Sequence, residues 1–248
     1  EGLGGVYLRP LEVLSSDLGG GPGCPQIYQY LVVVDFETAQ QFADVGDKTW
    51  SEDRVVDRDE KVVSLSAVVL GLNSVKEVGR FHRWVLREPD DANLSAGELN
   101  RETNAVSFAR AVADLDGWLK YRKFLPEAGN HPTGQTEGGS ILMASLNGKS
   151  ALKRLKASAR MSGMNDVPKW MQSCCCLMDV FDVCYFDGFS KATGMCFIMR
   201  RLGMLNPDNE EDGSFCMGVN DAENTARIAI EFLEDGVLMK PSYRIDKL

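Results

Sequence analysis

The sequence predicts an α/β domain in which a mixed sheet is flanked by helices. Residues 31–34, Leu-Val-Val-Val, form an apolar run rich in β-branched side chains, which is typical of a strand buried on both faces. Two further strand patterns, 62–72 and 75–86, are separated by Asn73 and Ser74, which predicts an antiparallel hairpin. Strand and helix patterns then follow in the order β-β-β-α-β-α, with further helices behind them.

One domain with two flanking segments accounts for the chain. Residues 1–25 end in L-G-G-G-P-G-C-P and are predicted to form a flexible N-terminal arm. The domain covers residues 26–240 and opens with the central strand at 28–37, after which the charged, aperiodic stretch 40–61 is a loop or an insertion. Residues 241–248 are predicted to be a C-terminal tail.

The elements after the third strand follow from the change in the spacing of apolar residues. Helical spacing begins near residue 98, with Val106, Ala109, Val112, Ala113 and Leu115 close to one face. The predicted elements are a helix at 98–124, a loop at 125–140, a strand at 141–146, a helix at 149–161, a strand at 169–174, a helix or loop at 175–186, and helices at 192–202 and 221–233.

Composition and charge exclude some functions. The chain has 248 residues, 44% of them hydrophobic, which is enough for a sizeable core. Its net charge of −9 excludes a global electrostatic attraction to nucleic acid, so nucleic-acid binding requires a local basic patch. No apolar run reaches about 18 residues, so neither a membrane-spanning helix nor a membrane partner is expected. The chain begins at Glu1, which leaves a trimmed presequence open.

The cysteine pattern favours a reducing compartment. Seven cysteines are present, three of them adjacent at positions 174–176, and no C-x-x-C pair is available for zinc. Adjacent cysteines do not make a disulfide framework, so we interpret them as small buried apolar residues. An intracellular location follows, and the cytoplasm, the nucleus and the mitochondrial matrix all remain open.

Two carboxylates end the central strand. Asp35 and Glu37 are two residues apart, so in an extended chain their side chains project from the same face. Like charges on one face repel each other unless a cation lies between them, and oxygen ligands of this kind suit Mg²⁺ or Mn²⁺. The alternative is a solvated strand end on which two acids happen to fall.

A basic stripe lies on the predicted helix at 149–161. Lys149, Lys153, Lys156 and Arg160 are spaced at i, i+4, i+7 and i+11, which places them on one helix face. Such a stripe is usually only a solvated surface. Its position directly after a strand that would neighbour Asp35 favours the alternative, contact with the phosphates of RNA.

Two motifs resemble those of a known enzyme family. The string V-V-V-D-F-E-T at 32–38 resembles the first motif of the DEDDh 3′–5′ exonucleases, and G-V-N-D-A-E-N-T-A-R-I-A-I-E-F-L-E-D-G from Gly218 resembles their last motif. The branch is that of the histone-mRNA and RNA-interference 3′ exoribonucleases. P-K-W at 168–170 and R-L-G-M at 201–204 agree in order, so the resemblance covers 28–239. It implies a ribonuclease-H-like mixed sheet whose first three strands are antiparallel and whose following strands are parallel.

The resemblance also implies a site, with two departures. In the family, four acidic residues hold two metal ions, and a histidine is the general base. Asp35 and Glu37 match the acids of the first motif, and Asp221 matches the acid of the last one. Asn147 falls at the position of the remaining acid, and Cys216 at that of the histidine.

These departures predict a degenerate site. The Asn147 amide lacks the charge that offsets a second cation. A thiol with a reference pKa near 8.5, such as that of Cys216, replaces an imidazole poorly, and a general base contributes about 10²–10⁴-fold to rate. We therefore expect at most one weakly bound Mg²⁺ or Mn²⁺. Motif order places neither His82 nor His131 as a substitute base. A replacement metal ligand remains open at three positions, Asp179, Asp182 and Asp187.

Three functional hypotheses follow. The first is a catalytically degenerate 3′–5′ exoribonuclease-like protein, a pseudoenzyme that serves as an RNA-binding or structural subunit of a ribonucleoprotein and so has RNA and protein partners. The second is an active but atypical metal-dependent 3′–5′ exoribonuclease. The third is a purely protein-binding scaffold. The acidic net charge favours function within a complex over independent binding of RNA.

Overall fold

The computed structural model describes residues 26–38, 62–86, 104–125, 141–185, 194–205 and 219–245. Outside these ranges lie the predicted arm at 1–25, the charged stretch 40–61, most of the predicted loop 125–140, and the positions of His131, Asp187 and Cys216. Within the described ranges, no helix is both long enough and apolar enough to cross a membrane.

The described strands form one sheet in the order β3-β2-β1-β4-β5-β6. The strands are β1 (Tyr30–Thr38), β2 (Val62–Gly71), β3 (Lys76–Trp84), β4 (Ile141–Ser145), β5 (Ser173–Cys176) and β6 (Tyr243–Arg244). The β1–β2 and β2–β3 pairs are antiparallel, and the β1–β4 and β4–β5 pairs are parallel. The predicted mixed sheet is therefore confirmed, and only the β5–β6 pair at one edge adds a further antiparallel step.

Helices cover both faces of this sheet. They are α1 (Phe108–Tyr121), α2 (Gly148–Met161), α3 (Leu177–Tyr185), α4 (Met195–Arg201) and α5 (Val219–Glu234). Buried residues of α1 and α2 pack with Val32 and Phe36 of β1, whereas those of α3, α4 and α5 pack with Leu31 and Val33. Alternate residues of one strand therefore enter two separate cores, which explains why residues 31–34 are all apolar and fully buried.

The first helix is shorter than predicted. It begins at Phe108 because the hydroxyl of Ser107 caps it, accepting a hydrogen bond from the Arg110 backbone N–H at 3.2 Å. Val106, which the spacing places on the helical face, instead forms an isolated β-bridge with Val85. Its apolar spacing fits either structure, so the cap decides where the helix starts.

The predicted strand at 169–174 also lies in a different position. Lys169–Met171 forms a 3₁₀ turn, and the strand is Ser173–Cys176. The adjacent cysteines are buried as expected, because they lie inside this strand, whereas Cys184 is exposed. Helix α3 follows at once, and its Met178 N–H donates to the Leu146 carbonyl at 3.0 Å.

The predicted C-terminal tail is partly structured. Tyr243 and Arg244 pair with β5, and Ile245 is buried in the core. The hydroxyl of Ser242 accepts a hydrogen bond from the Cys176 backbone N–H at 3.1 Å. The domain therefore continues to residue 245 because an open edge of β5 is available for pairing.

Candidate active site

The carboxyl end of β1 carries two acids on one face of the sheet. Asp35 lies opposite Ser66 of β2, and Glu37 lies opposite Ser64. Both share the orientation of Val33, so they face the side that α5 covers. The side chain of Glu37 is buried, and that of Asp35 is partly exposed.

Helix α5 brings Asp221 to the same place from a distant part of the sequence. Burial raises the pKa of the Asp35 carboxyl to about 6, although the nearby Arg154 guanidinium and the Phe36 backbone N–H partly oppose the shift. Burial, together with the negative charge of Asp35, raises the pKa of Asp221 to about 7. The two carboxylates are therefore close enough to repel each other.

The donor set fits a divalent cation that is held incompletely. The Oδ1 atom of Asp221 is buried and has no hydrogen-bond partner among the described residues. Two repelling carboxylates with a buried, unsatisfied oxygen match the preference of Mg²⁺ and Mn²⁺ for charged oxygen ligands. In the described part of the chain, however, no three carboxylate, imidazole or thiol groups converge closely enough to enclose an ion. Asp35 and Asp221 are the residues that would hold such an ion, which would supply Lewis-acid chemistry, whereas Glu37 does not converge with them to form a three-ligand site.

Asn147 lies at the same edge of the sheet, where it caps a helix. The parallel register pairs Val33 with Ala144, so the chain leaves β4 at the edge where β1 carries Asp35. The Oδ1 atom of Asn147 accepts a hydrogen bond from the Ser150 backbone N–H at 3.1 Å and forms the N-cap of α2. The side chain at this position therefore has a structural partner.

Asp179, considered above as a replacement ligand, lies beside other partners. It lies beside Tyr243 and Cys176, and its negative charge adds to burial in raising the pKa values of both groups. These contacts place it next to β5 and β6, beyond β4 from Asp35. Asp182 lies later in α3.

Arg154 is a charged neighbour of the site that the sequence reasoning missed. Its Nη1 atom donates to the Phe36 carbonyl at 3.1 Å, which holds the guanidinium near Asp35. It follows Lys153 directly and is therefore rotated by about 100° from the predicted stripe, which is why the search for a single helix face omitted it. A search that included the basic residues next to the stripe would have found Arg154.

The predicted basic stripe itself faces solvent. Lys149, Lys153 and Arg160 are exposed, and Lys156 is partly buried. The opposite side of α2 packs into the core through Ala151, Leu152, Leu155 and Ala159. Helix α2 therefore presents one basic residue to β1 and a separate basic surface to solvent.

Comparisons with known proteins agree on the fold. No protein-family model matches the sequence, and no curated protein matches it significantly. A 3′-exonuclease that recognises the 3′ end of the histone mRNA stem-loop has a similar structure, with a TM-score of 0.64, 18% identity, and coverage of 86% of this chain and 85% of that one. The nuclease domain of 3′hExo, a DEDDh family member bound to rAMP, gives 0.63 and 18%, with 88% and 98% covered.

Cell-death related nuclease 4 is a third similar structure, with a TM-score of 0.59, 15% identity, and coverage of 89% of this chain and 68% of that one. The chain therefore has the ribonuclease-H-like fold of the DEDDh 3′-exonucleases, as its two motifs predicted.

The carboxylate pair predicts how stability depends on pH without metal. Asp35 and Asp221 keep their protons up to about pH 6 and 7 in the folded state but release them near 3.8 when unfolded. The folded state therefore binds more protons between about pH 4 and 7, and the free energy of unfolding falls as pH rises through this range, by about 3 kcal/mol from Asp35 alone. In EDTA, we expect a higher Tm at pH 5 than at pH 8.

The variant Asp221→Asn should remove much of this difference and raise Tm at pH 8. Glu234→Gln, which changes an exposed carboxylate at the other end of α5, should leave the difference in place. Equal pH dependence in the parent and in Asp221→Asn, measured by differential scanning calorimetry, would contradict the assignment.

The N-cap of α2 leads to a second prediction. Asn147→Ala should lower the free energy of unfolding by about 1 kcal/mol, because the Ser150 N–H loses its partner. Asn147→Ser retains a capping oxygen and should stay close to the parent in urea denaturation. A similar loss in both variants would show that the amide of Asn147 has another role.

Proposed function

We propose that this chain is a catalytically degenerate 3′–5′ exoribonuclease-like protein that binds RNA as a subunit of a ribonucleoprotein assembly. One observation carries the proposal. Asp35 and Asp221 lie close enough for the charge of Asp35 to raise the pKa of Asp221, whereas the turn after β4 holds Asn147, whose amide oxygen caps α2. The fold and part of the ligand set are kept, and one of the four expected charges is not.

The chemistry of the remaining side chains supports weak or absent turnover. The two-metal mechanism needs both ions, one for the attacking oxygen and one for the leaving oxygen. Three carboxylates offset less cationic charge than four, so the second ion is bound poorly. With Cys216 at the histidine position in the sequence, the efficient proton acceptor is replaced as well.

The exposed surface of α2 supports RNA binding. Lys149, Lys153 and Arg160 form a local positive surface on a chain whose net charge is −9. The helix starts at the sheet edge next to Asp35, so RNA bound there reaches the carboxylates. Similar structures include an exonuclease that recognises the histone mRNA stem-loop and one bound to rAMP. Because the rest of the chain is acidic and repels RNA, we expect partner proteins to contribute further contacts with the same RNA.

A second candidate function is a slow, metal-dependent 3′–5′ exoribonuclease. The observation in its favour is the buried Oδ1 atom of Asp221, which lacks a partner among the described residues and is available to a cation. The third hypothesis, a protein-binding scaffold, differs from both in that the protein does not bind RNA.

A degradation assay separates the first two candidates. With 5′-labelled single-stranded RNA and excess Mn²⁺, we expect intact RNA with both the parent and Asp35→Ala. The double variant Asn147→Asp with Cys216→His restores the family's acid and base, and measurable shortening from the 3′ end is expected. A ladder from the parent that disappears in Asp35→Ala would establish the second candidate instead.

Charge reversal tests the RNA surface. Lys149→Glu with Lys153→Glu should weaken RNA binding at least tenfold and should reduce the dependence of log K on log salt concentration by about two, because two phosphate contacts are lost. Lys76→Glu, on an exposed residue of β3, is the matched control. Equal affinity in all variants by fluorescence anisotropy would contradict the assignment, and no binding by the parent would favour the scaffold.

A further inference from the structure

A row of polar residues extends from the carboxylates across the sheet. Ser66 of β2 lies opposite Asp35, and His82 of β3 lies opposite Ser66. Directly opposed residues share a face, so all three project toward the α5 side. Strands are spaced about 4.8 Å apart, which puts the backbone of His82 about 10 Å from that of Asp35. Motif order had given this histidine no place near the site.

A pocket of about 200 Å³ opens along this row. Its floor is formed by Ser66 and Val68 of β2 with Arg80 and His82 of β3, and its opposite wall by the first turn of α5. That wall is Ala222 and Glu223, the two residues directly after Asp221. The pocket therefore adjoins the carboxylate pair on the side away from β4.

The polar groups of the pocket are held in place by other residues. The Nδ1 atom of His82 is 2.9 Å from the Ser66 hydroxyl, and its ring meets Trp84 edge to face at 4.8 Å. Arg80 bridges Glu77 and Glu223 across the rim. Fixed hydrogen-bonding groups beside the small apolar side chains of Val68 and Ala222 are the combination found in small-molecule sites.

Unsatisfied polar atoms gather on this side of the sheet. Among the described residues, the Nε2 atom of His82, the hydroxyl of Ser64 and the Oδ1 atom of Asp221 are buried and have no hydrogen-bond partner. Ser64 is fully buried and lies opposite Trp84. Each such atom has given up its hydrogen bonds to water without a replacement, which is unfavourable. A polar ligand bound along this row removes part of that cost.

We propose that this pocket is a binding subsite for one unstacked nucleobase. Its volume is below the range of about 300–1,000 Å³ typical of sites for drug-sized ligands, so it suits a single ring system. Arg80 is already paired with two carboxylates, and Glu223 lines the wall, so an anionic phosphate is disfavoured. A neutral heterocycle with hydrogen-bond donors and acceptors matches what is present.

The state of His82 agrees with this ligand class. Burial and the neighbouring Arg83 lower the pKa of its imidazole, which is therefore neutral at pH 7. A neutral imidazole has one donor and one acceptor nitrogen, as the hydrogen-bonded edge of a base requires. Single-stranded RNA is read in this way, through bases that leave the stack. The subsite rests on the proposed RNA binding. It would hold one base of an RNA strand whose backbone passes close to Asp35 and Asp221.

Nuclear magnetic resonance of the two histidines tests the subsite directly. The chain contains only His82 and His131, so ¹⁵N-labelled imidazole signals are readily assigned with a His82→Phe variant. Nucleosides at millimolar concentration should shift the His82 signals of the full chain in a saturable way, whereas ribose 5-phosphate should not. No shift with any nucleoside, or an equal shift with ribose 5-phosphate, would overturn the proposal.

Variants connect the subsite to binding. His82→Phe keeps an aromatic ring against Trp84 but removes both nitrogens, and it should weaken nucleoside binding, measured by calorimetry, at least tenfold. Lys76→Gln, on an exposed residue at the start of β3, is the control. Unchanged nucleoside affinity in His82→Phe would overturn the role of the imidazole.

These results are separable from the proposed function. Nucleoside binding by a chain that does not bind RNA would retain the subsite and reject RNA binding. RNA binding without any nucleoside response at His82 would retain RNA binding and reject the subsite.

Discussion

The repulsion between Asp35 and Asp221 is the constraint on which this site depends. The sheet buries β1 on both faces, and α5 packs over its carboxyl end, so two carboxylates are forced together with little solvent around them. Burial raises the pKa of both carboxyl groups, and the negative charge of Asp35 raises that of Asp221 further. A cation bound between the two carboxylates would relieve this repulsion.

Two other residues near the pair have partners within the protein. Asn147 still occupies the turn after β4, but its oxygen is used for helix capping, which needs no charge. Arg154 supplies a positive charge near Asp35, held by the Phe36 carbonyl. A positive charge of the protein therefore offsets part of the negative charge of Asp35.

Sequence periodicity predicted the elements well where burial is continuous and poorly where local contacts decide. The apolar run of β1, the β2–β3 hairpin, and helices α2 and α5 all form close to their predicted positions. Helix α1 and strand β5 differ, because the Ser107 cap and the 3₁₀ turn at Lys169–Met171 set their starts. A spacing rule does not register a single capping hydrogen bond, nor did it predict that Tyr243 pairs with the edge of β5.

The sequence alone determined the fold class and the candidate residues Asp35, Glu37, Asp221 and Asn147, because the two motifs and the order of the apolar segments can be read from the chain directly. Tertiary structure alone decided which of these side chains face each other and what else lies beside them. Arg154 reaches β1 from α2, and His82 joins the carboxylate row from β3, because neighbouring strands align residues far apart in the chain. Register is a property of paired strands, so no single stretch of sequence contains it.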